Sequence, residues 1–122
     1  MSEAGSEPIP PPPILIVVRD LMFSGRILAE ARAAGAQIKS IRDPADIAKL
    51  ADTNARLMIA DLNLPGAIAA AADWRKTGDR KVIGFVSHVD SQTIAEAKTA
   101  GIDQVLARSR FVQILPELLR AG

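Results

Sequence analysis

Five short apolar runs, each followed by a stretch with helical spacing, constrain this chain more than any other feature. The first, ILIVV at 14–18, is continuous and β-branched, which reads as a strand buried on both faces. Leu21 to Ala34 follows with Phe23, Ile27 and Ala31 on one helical stripe, and Gly35 is the expected stop. Residues 37–41 alternate polar and apolar, as a half-exposed edge strand does. Asp43 and Pro44 open a second helix, the Asp as cap and the Pro in the first turn, with Ile47, Leu50 and Ala51 turned inward. Residues 56–60 form a third strand ending at Asp61, and a short Ala-rich helix follows over 67–74. Residues 81–86 form a fourth strand ending at Ser87 and His88. Ser91 caps a helix that runs to Ala100 and stops at Gly101. A fifth strand over 104–107 and a last helix over 112–120 complete the pattern, with Pro116 tolerated only near that helix's first turn.

Strands alternating with helices imply a parallel sheet covered on both faces. Right-handed crossovers then favour a flavodoxin-like three-layer sandwich with five strands in the order 2-1-3-4-5 and five helices. That order puts the edge-like second strand at an edge. A working site on such a sheet lies beyond the carboxyl ends of its strands. Those ends present Arg19 and Asp20, then Asp61, then Ser87 and His88, then Arg108.

Composition narrows the chemistry. A chain of 122 residues is one domain's worth and leaves too little for a fused output domain. With 3% aromatics the core is aliphatic, and the 21 Ala leave about 38 larger apolar residues to fill it. The absence of Cys removes disulfides, thiol chemistry and Cys-ligated zinc, and the single His88 removes a multi-histidine metal site. A net charge of +1 gives no basic excess for nucleic acid, and no apolar run approaches a membrane span. Residues 1–13 hold five of the eight prolines and read as a disordered tail, distinct from a domain over 14–122. They lack the basic start and apolar centre of a signal peptide, so the expected location is cytoplasmic. A polyproline ligand for an SH3-like partner is the alternative reading of that tail.

Asp61-Leu62-Asn63-Leu64-Pro65 at the end of the third strand resembles the phosphoacceptor motif of two-component response-regulator receiver domains. Ser87 matches that family's Ser/Thr after the fourth strand, and the resemblance covers about residues 14–120. It implies a signalling module rather than an enzyme. In that family an Asp carboxylate takes a phosphoryl group from a histidine kinase. Mg²⁺ on acidic ligands and a Lys neutralise the charge. Mapped here, Asp61 is the phosphoacceptor candidate and Ser87 and Arg108 are candidates to contact the phosphoryl group. Arg19, Asp20, Asn63 and His88 complete the pocket, and Asp20, Asp61 and Asn63 are the only conceivable metal ligands.

Several positions depart from the family pattern. Counting back from Gly35 puts Val18 and Arg19 on the two acid positions; a shift of one keeps Asp20 but leaves Arg19 in the pair. Mg²⁺ should then bind at least ~100-fold more weakly, since even losses around a ligand shell cost 10–100-fold, and no resident cofactor is expected. Arg108 replaces the Lys and is followed by Ser109 rather than Pro, Val105 replaces the switch aromatic, and the segment after Asp61 is short.

The bland alternatives are concrete. Asp61 is either the acceptor or a remnant paired with Arg19 or Arg108. Asp20 is either a metal ligand or the cap of the helix after it. His88 is either a general base or a polar rim residue. The basic cluster over 74–81 is either a solvated turn or a contact for a partner or nucleic acid.

Three functions follow from these readings. The departures favour a receiver-like module acting through protein–protein contacts, with impaired phosphorylation. The second is a working single-domain response regulator phosphorylated on Asp61. The third is a small ligand-binding or enzymatic domain, weakened by the absence of glycine between Arg19 and Ser24, where a phosphate-cradling loop belongs. The expected partner is a histidine kinase or output protein. A homodimer is conceivable through the fourth helix, fifth strand and fifth helix, using Ile94, Val105, Phe111 and Leu115.

Overall fold

The structure, a computed structural model, describes residues 11–88 and 90–121. The tail expected over 1–13 therefore lies, for residues 1–10, outside the described residues, and Pro11–Pro13 enter the first strand without regular structure. In chain order the elements are β1 (Ile14–Val17), α1 (Leu21–Ala34), β2 (Ile38–Ile41), a 3-10 helix η1 (Pro44–Leu50), β3 (Leu57–Asp61), α2 (Ala67–Arg75), β4 (Lys81–Val86), α3 (Ser91–Ala100), β5 (Gln104–Ala107) and α4 (Arg108–Ala121). The strands form one parallel sheet in the order β2-β1-β3-β4-β5. This is the flavodoxin-like order that the run-and-helix texture implies.

Each strand shows a different set of side chains to the two faces of the sheet. Leu15, Val17, Met58, Ala60, Val82 and Val86 point to one face and are buried by η1, α2 and α3. Ile14, Ile16, Ile59, Ile83 and Phe85 point to the other and are buried by α1 and α4. A strand covered on both sides must be apolar throughout, which is why β1 is buried at all four residues. β2, at the edge, keeps Lys39 and Ser40 in solvent.

Helix ends follow local chemistry. Asp20 Oδ1 accepts from the backbone N–H groups of Met22 and Phe23 at 3.0 and 3.2 Å and so caps α1. Gly35, at φ 74°, ends α1 with the amide of Ala36 on Ala31 O at 2.9 Å. Ser91 proves to be the first residue of α3, and Asp90 is its cap, accepting from Gln92 N at 2.9 Å. The segment after Asp43 is 3-10 rather than α-helical. At 2.0 Å per residue, seven 3-10 residues span about 14 Å against about 10 Å for an α-helix. Ala51, expected inside, is exposed at the end of this stretched segment.

The last helix departs most from expectation. β5 runs into α4 without a turn, so α4 starts at Arg108 and Pro116 falls in its interior. There Pro116 provides no N–H for the carbonyl of Val112, a loss offset by the buried stripe of Phe111, Leu115 and Leu119. That stripe also shows that Phe111 and Leu115 belong to the core, so the expected dimer face keeps only half-buried Ile94 and Val105.

Candidate functional site

The sheet order sets the ends of β1, β3, β4 and β5 side by side, and the sequence puts a polar residue at each. Asp61 is the last residue of β3 and is half-buried. Its Oδ1 accepts from the backbone N–H of Asn63 at 3.0 Å, which folds the 62–66 loop back over the strand end. Burial pushes the Asp61 carboxyl above the usual aspartate value, with the Asp20 charge adding to the rise. The Asn63 amide and the Arg108 charge oppose it.

Leu62 points down into the core at 3% exposure while its amide donates to Phe85 O at 2.9 Å. It lies directly over Gly84, where a methyl group would approach Leu62 Cδ1 to 2.4 Å. Gly84 is thus the hollow in β4 that lets the Asp61 loop sit this low. Asn63 turns the other way. Its Oδ1 accepts from the consecutive amides of Ser87 and His88 at 2.8 and 3.0 Å, and its Nδ2 donates to His88 O at 3.4 Å.

Arg108 is the cation of the site. Nη2 donates to Asp20 Oδ2 at 3.2 Å and Nη1 to Ser87 Oγ at 3.4 Å. The guanidinium carbon lies 3.7 Å from the ring centroid of Phe23. Beneath it the chain's three phenylalanines meet: Phe23 to Phe85 at 5.1 Å, Phe85 to Phe111 at 5.0 Å and Phe23 to Phe111 at 6.0 Å. One guanidinium therefore joins the ends of β1 and β4 from the start of α4, above an aromatic floor. Capping hydrogen bonds, that of Phe23 foremost, and then Arg108 hold the Asp20 carboxyl below its usual value.

The arrangement corrects the expected ion pair. Among the described residues Asp61 forms no salt bridge, and the partner of Arg108 is Asp20. Arg19 leans toward β2, with Nε donating to Arg42 O at 3.4 Å. It supplies no cation to the pocket because the chain turns into α1 at Asp20, leaving Arg19 on the far side of the strand end. Asp20 does what its capping alternative requires. His88 contributes backbone groups, and its side chain is exposed.

These residues do not fit Mg²⁺ well. Asp20 Oδ1 takes two amides, Asp20 Oδ2 faces a guanidinium, and Asn63 Oδ1 takes two more amides. Octahedral coordination needs several free, hard oxygens converging on one point. Among the described residues no cluster of three or more His, Cys, Asp or Glu is placed to hold a metal ion.

In the basic cluster near Trp74, residues 76–79 and Lys81 are exposed as a solvated turn, while Arg75 and Arg80 are held. Arg75 makes a two-pronged bond to Asp103 at 2.8 Å on both oxygens. Arg80 donates to the carbonyls of Ala51 and Thr53 and lies 4.6 Å above the Trp74 ring. Trp74 is buried, with Nε1 donating to Leu50 O at 3.3 Å. An apolar groove of about 280 Å³ between η1 and α2 adjoins it, lined by none of the strand-end residues around Asp61.

Sequence reasoning missed the floor of three phenylalanines and the Gly84 hollow. One signal was present: Phe23 stands three residues after Asp20, one helical turn away, so a cation on Asp20 also reaches the ring.

No protein-family model matches the chain, and a search of curated proteins finds no match. Solved structures do match. A two-component response regulator from Clostridium difficile is similar at 18% identity and TM-score 0.76, covering 91% of this chain and 94% of that one. A CheY-like receiver domain protein from Methanospirillum hungatei gives 17% identity and TM-score 0.71 over 91% and 98%. A response regulator from Burkholderia pseudomallei, solved with a phosphorylated aspartic acid, calcium ion and citrate, gives 15% and 0.73 over 91% and 69%. The chain has the receiver-domain fold.

Proposed function

We propose that this chain is a receiver-like signalling module that acts through protein–protein contacts, with acyl-phosphate chemistry at Asp61 impaired. One observation carries the reading. Arg108 already bridges Asp20 and Ser87, so the cation and the hydroxyl that a phosphoryl group would recruit are engaged with each other. A phosphoryl group arriving at Asp61 must displace that bridge and also brings negative charge to a carboxylate already disfavoured by burial.

The apolar surface for a partner is on α1, where Leu21, Met22 and Leu28 are 68%, 88% and 41% exposed. This face supports a protein partner, such as a kinase or output protein, better than the expected homodimer face does. Among the described residues no helix is long and apolar enough to cross a membrane. A cytoplasmic, non-enzymatic role fits the fold.

A second reading, a working receiver phosphorylated by a histidine kinase, is favoured by one feature. Asp61, Ser87 and Arg108 do come to one end of the sheet, with Asn63 linking the first two. Incubation with acetyl phosphate and Mg²⁺, followed by intact mass spectrometry, separates the readings. Impaired chemistry predicts no stable adduct. A ~80 Da adduct that disappears in Asp61→Asn establishes the working receiver.

A further inference from the structure

We infer that Asn63 is a positioning residue: its side chain straps the Ser87–His88 backbone to the Asp61 loop and thereby fixes where the Ser87 hydroxyl stands. The inference deepens the proposed function and rests on that reading for its signalling meaning, though the strap itself is a matter of geometry.

An asparagine amide has one oxygen with two acceptor positions and one nitrogen with two donors. In Asn63 both oxygen positions are filled by consecutive backbone amides, Ser87 at 2.8 Å and His88 at 3.0 Å. The nitrogen returns a hydrogen bond to the carbonyl of His88 at 3.4 Å. Two N–H groups converging on one atom require that atom to be oxygen, which settles the orientation of the amide. The backbone of Asn63 is in turn held, its own N–H lying on Asp61 Oδ1 at 3.0 Å. A continuous path thus runs from the Asp61 carboxylate through Asn63 to the 87–88 backbone, and from Ser87 Oγ to Arg108 at 3.4 Å.

The bonds are made by an exposed side chain between two loops, where no regular structure supplies partners for these amides. Without Asn63 the amides of Ser87 and His88 turn to water, and the position of Ser87 is no longer set by Asp61's loop. A change at Asp61 that shifts the Asn63 backbone is passed to the Ser87 and His88 backbone by the same bonds.

Residue-resolved amide hydrogen exchange on the full chain tests this with Asn63→Ala and Asn63→Asp. In Asn63→Ala protection at Ser87 and His88 should fall by about fivefold or more, as expected for loss of a hydrogen bond of about 1 kcal/mol net strength. The β4 amides should hold theirs. Asn63→Asp keeps an acceptor facing the two amides and should retain protection within about threefold of the parent. Unchanged exchange at Ser87 and His88 in Asn63→Ala overturns the strap. So does an Asn63→Asp variant that loses as much as Asn63→Ala, because the acceptor role then fails. An Asp61 adduct with acetyl phosphate would overturn the impaired-receiver reading while leaving these exchange results intact.

Discussion

Gly84→Ala places a methyl group in the one hollow on which the Asp61 loop rests. The added carbon lies 2.4, 2.6 and 2.8 Å from Leu62 Cδ1, Cγ and Cδ2. Carbon atoms in contact prefer roughly 3.5–4.0 Å, so Leu62 must retreat by about 1 Å. It cannot simply rotate away, because Cγ and both methyl groups are too close, the side chain is 3% exposed, and its amide is fixed on Phe85 O. Overpacking of this kind costs about 1–3 kcal/mol. Replacing Gly by Ala in a strand returns roughly 0.5–1 kcal/mol of backbone entropy.

The difference spans about 0–2.5 kcal/mol, and a clash with three atoms of one held side chain puts the loss in its upper part, about 1–2 kcal/mol, or a Tm decrease of roughly 4–8 °C for a domain of this size. Urea unfolding followed by the fluorescence of buried Trp74 measures it. Leu62→Ala alone should cost about 2–5 kcal/mol by leaving a cavity. The double variant should then cost at least ~1 kcal/mol less than the sum of the two, since each change relieves the other. An unchanged or raised midpoint in Gly84→Ala, or simple additivity in the double variant, refutes the reasoning.

Three further outcomes follow from the same geometry. The Asp61 carboxyl is raised by burial, so its ionised form opposes folding at neutral pH, and the cost is relieved as pH falls through the raised folded value. Asp61→Asn should therefore stabilise the domain at pH 7 and lose that advantage toward acid, whereas a variant that is destabilised at pH 7 contradicts the account. Trp74→Phe leaves Leu50 O without its indole donor and should cost about 1–3 kcal/mol in urea unfolding followed by circular dichroism; no loss would show that the bond is replaced by water. Arg19→Asp should leave Mg²⁺ affinity by titration calorimetry unchanged, because Arg19 faces Arg42 O rather than Asp61, and a tenfold gain would return Arg19 to the pocket.

The sheet was legible because each strand buried on both faces must be continuously apolar, while β2 at the edge need not be. β4 and β5 lie where their runs end, since Gly101 and the 77–79 turn leave no ambiguity. The errors arose where two adjacent residues could play one part. Asp90 and Ser91 are both cap formers, and only the path of the chain decides between them. The α4 start was lost because β5 meets it without a turn residue, which made Pro116 look like a first-turn proline.

At the site, the residue types at each strand end could be read, but their pairing could not. Spacing fixes which residues reach the end of the sheet. Which way Arg19 or Arg108 swings depends on α1 and α4 packing together around Phe23, a contact between residues 85 positions apart in the chain. The Asn63 strap depends likewise on two loops that only the fold brings within hydrogen-bond reach.

The proposed impairment of Asp61 rests on Arg108 being already engaged with Asp20 and Ser87. It is tested most directly by a crystal structure grown with Mg²⁺ and beryllofluoride, a mimic of the phosphoryl group. The account predicts Arg108 still joined to Asp20 and Ser87 above Phe23, with no density on Asp61. Beryllofluoride on Asp61, with Ser87 and Arg108 turned onto its fluorines and Asp20 released, would contradict it.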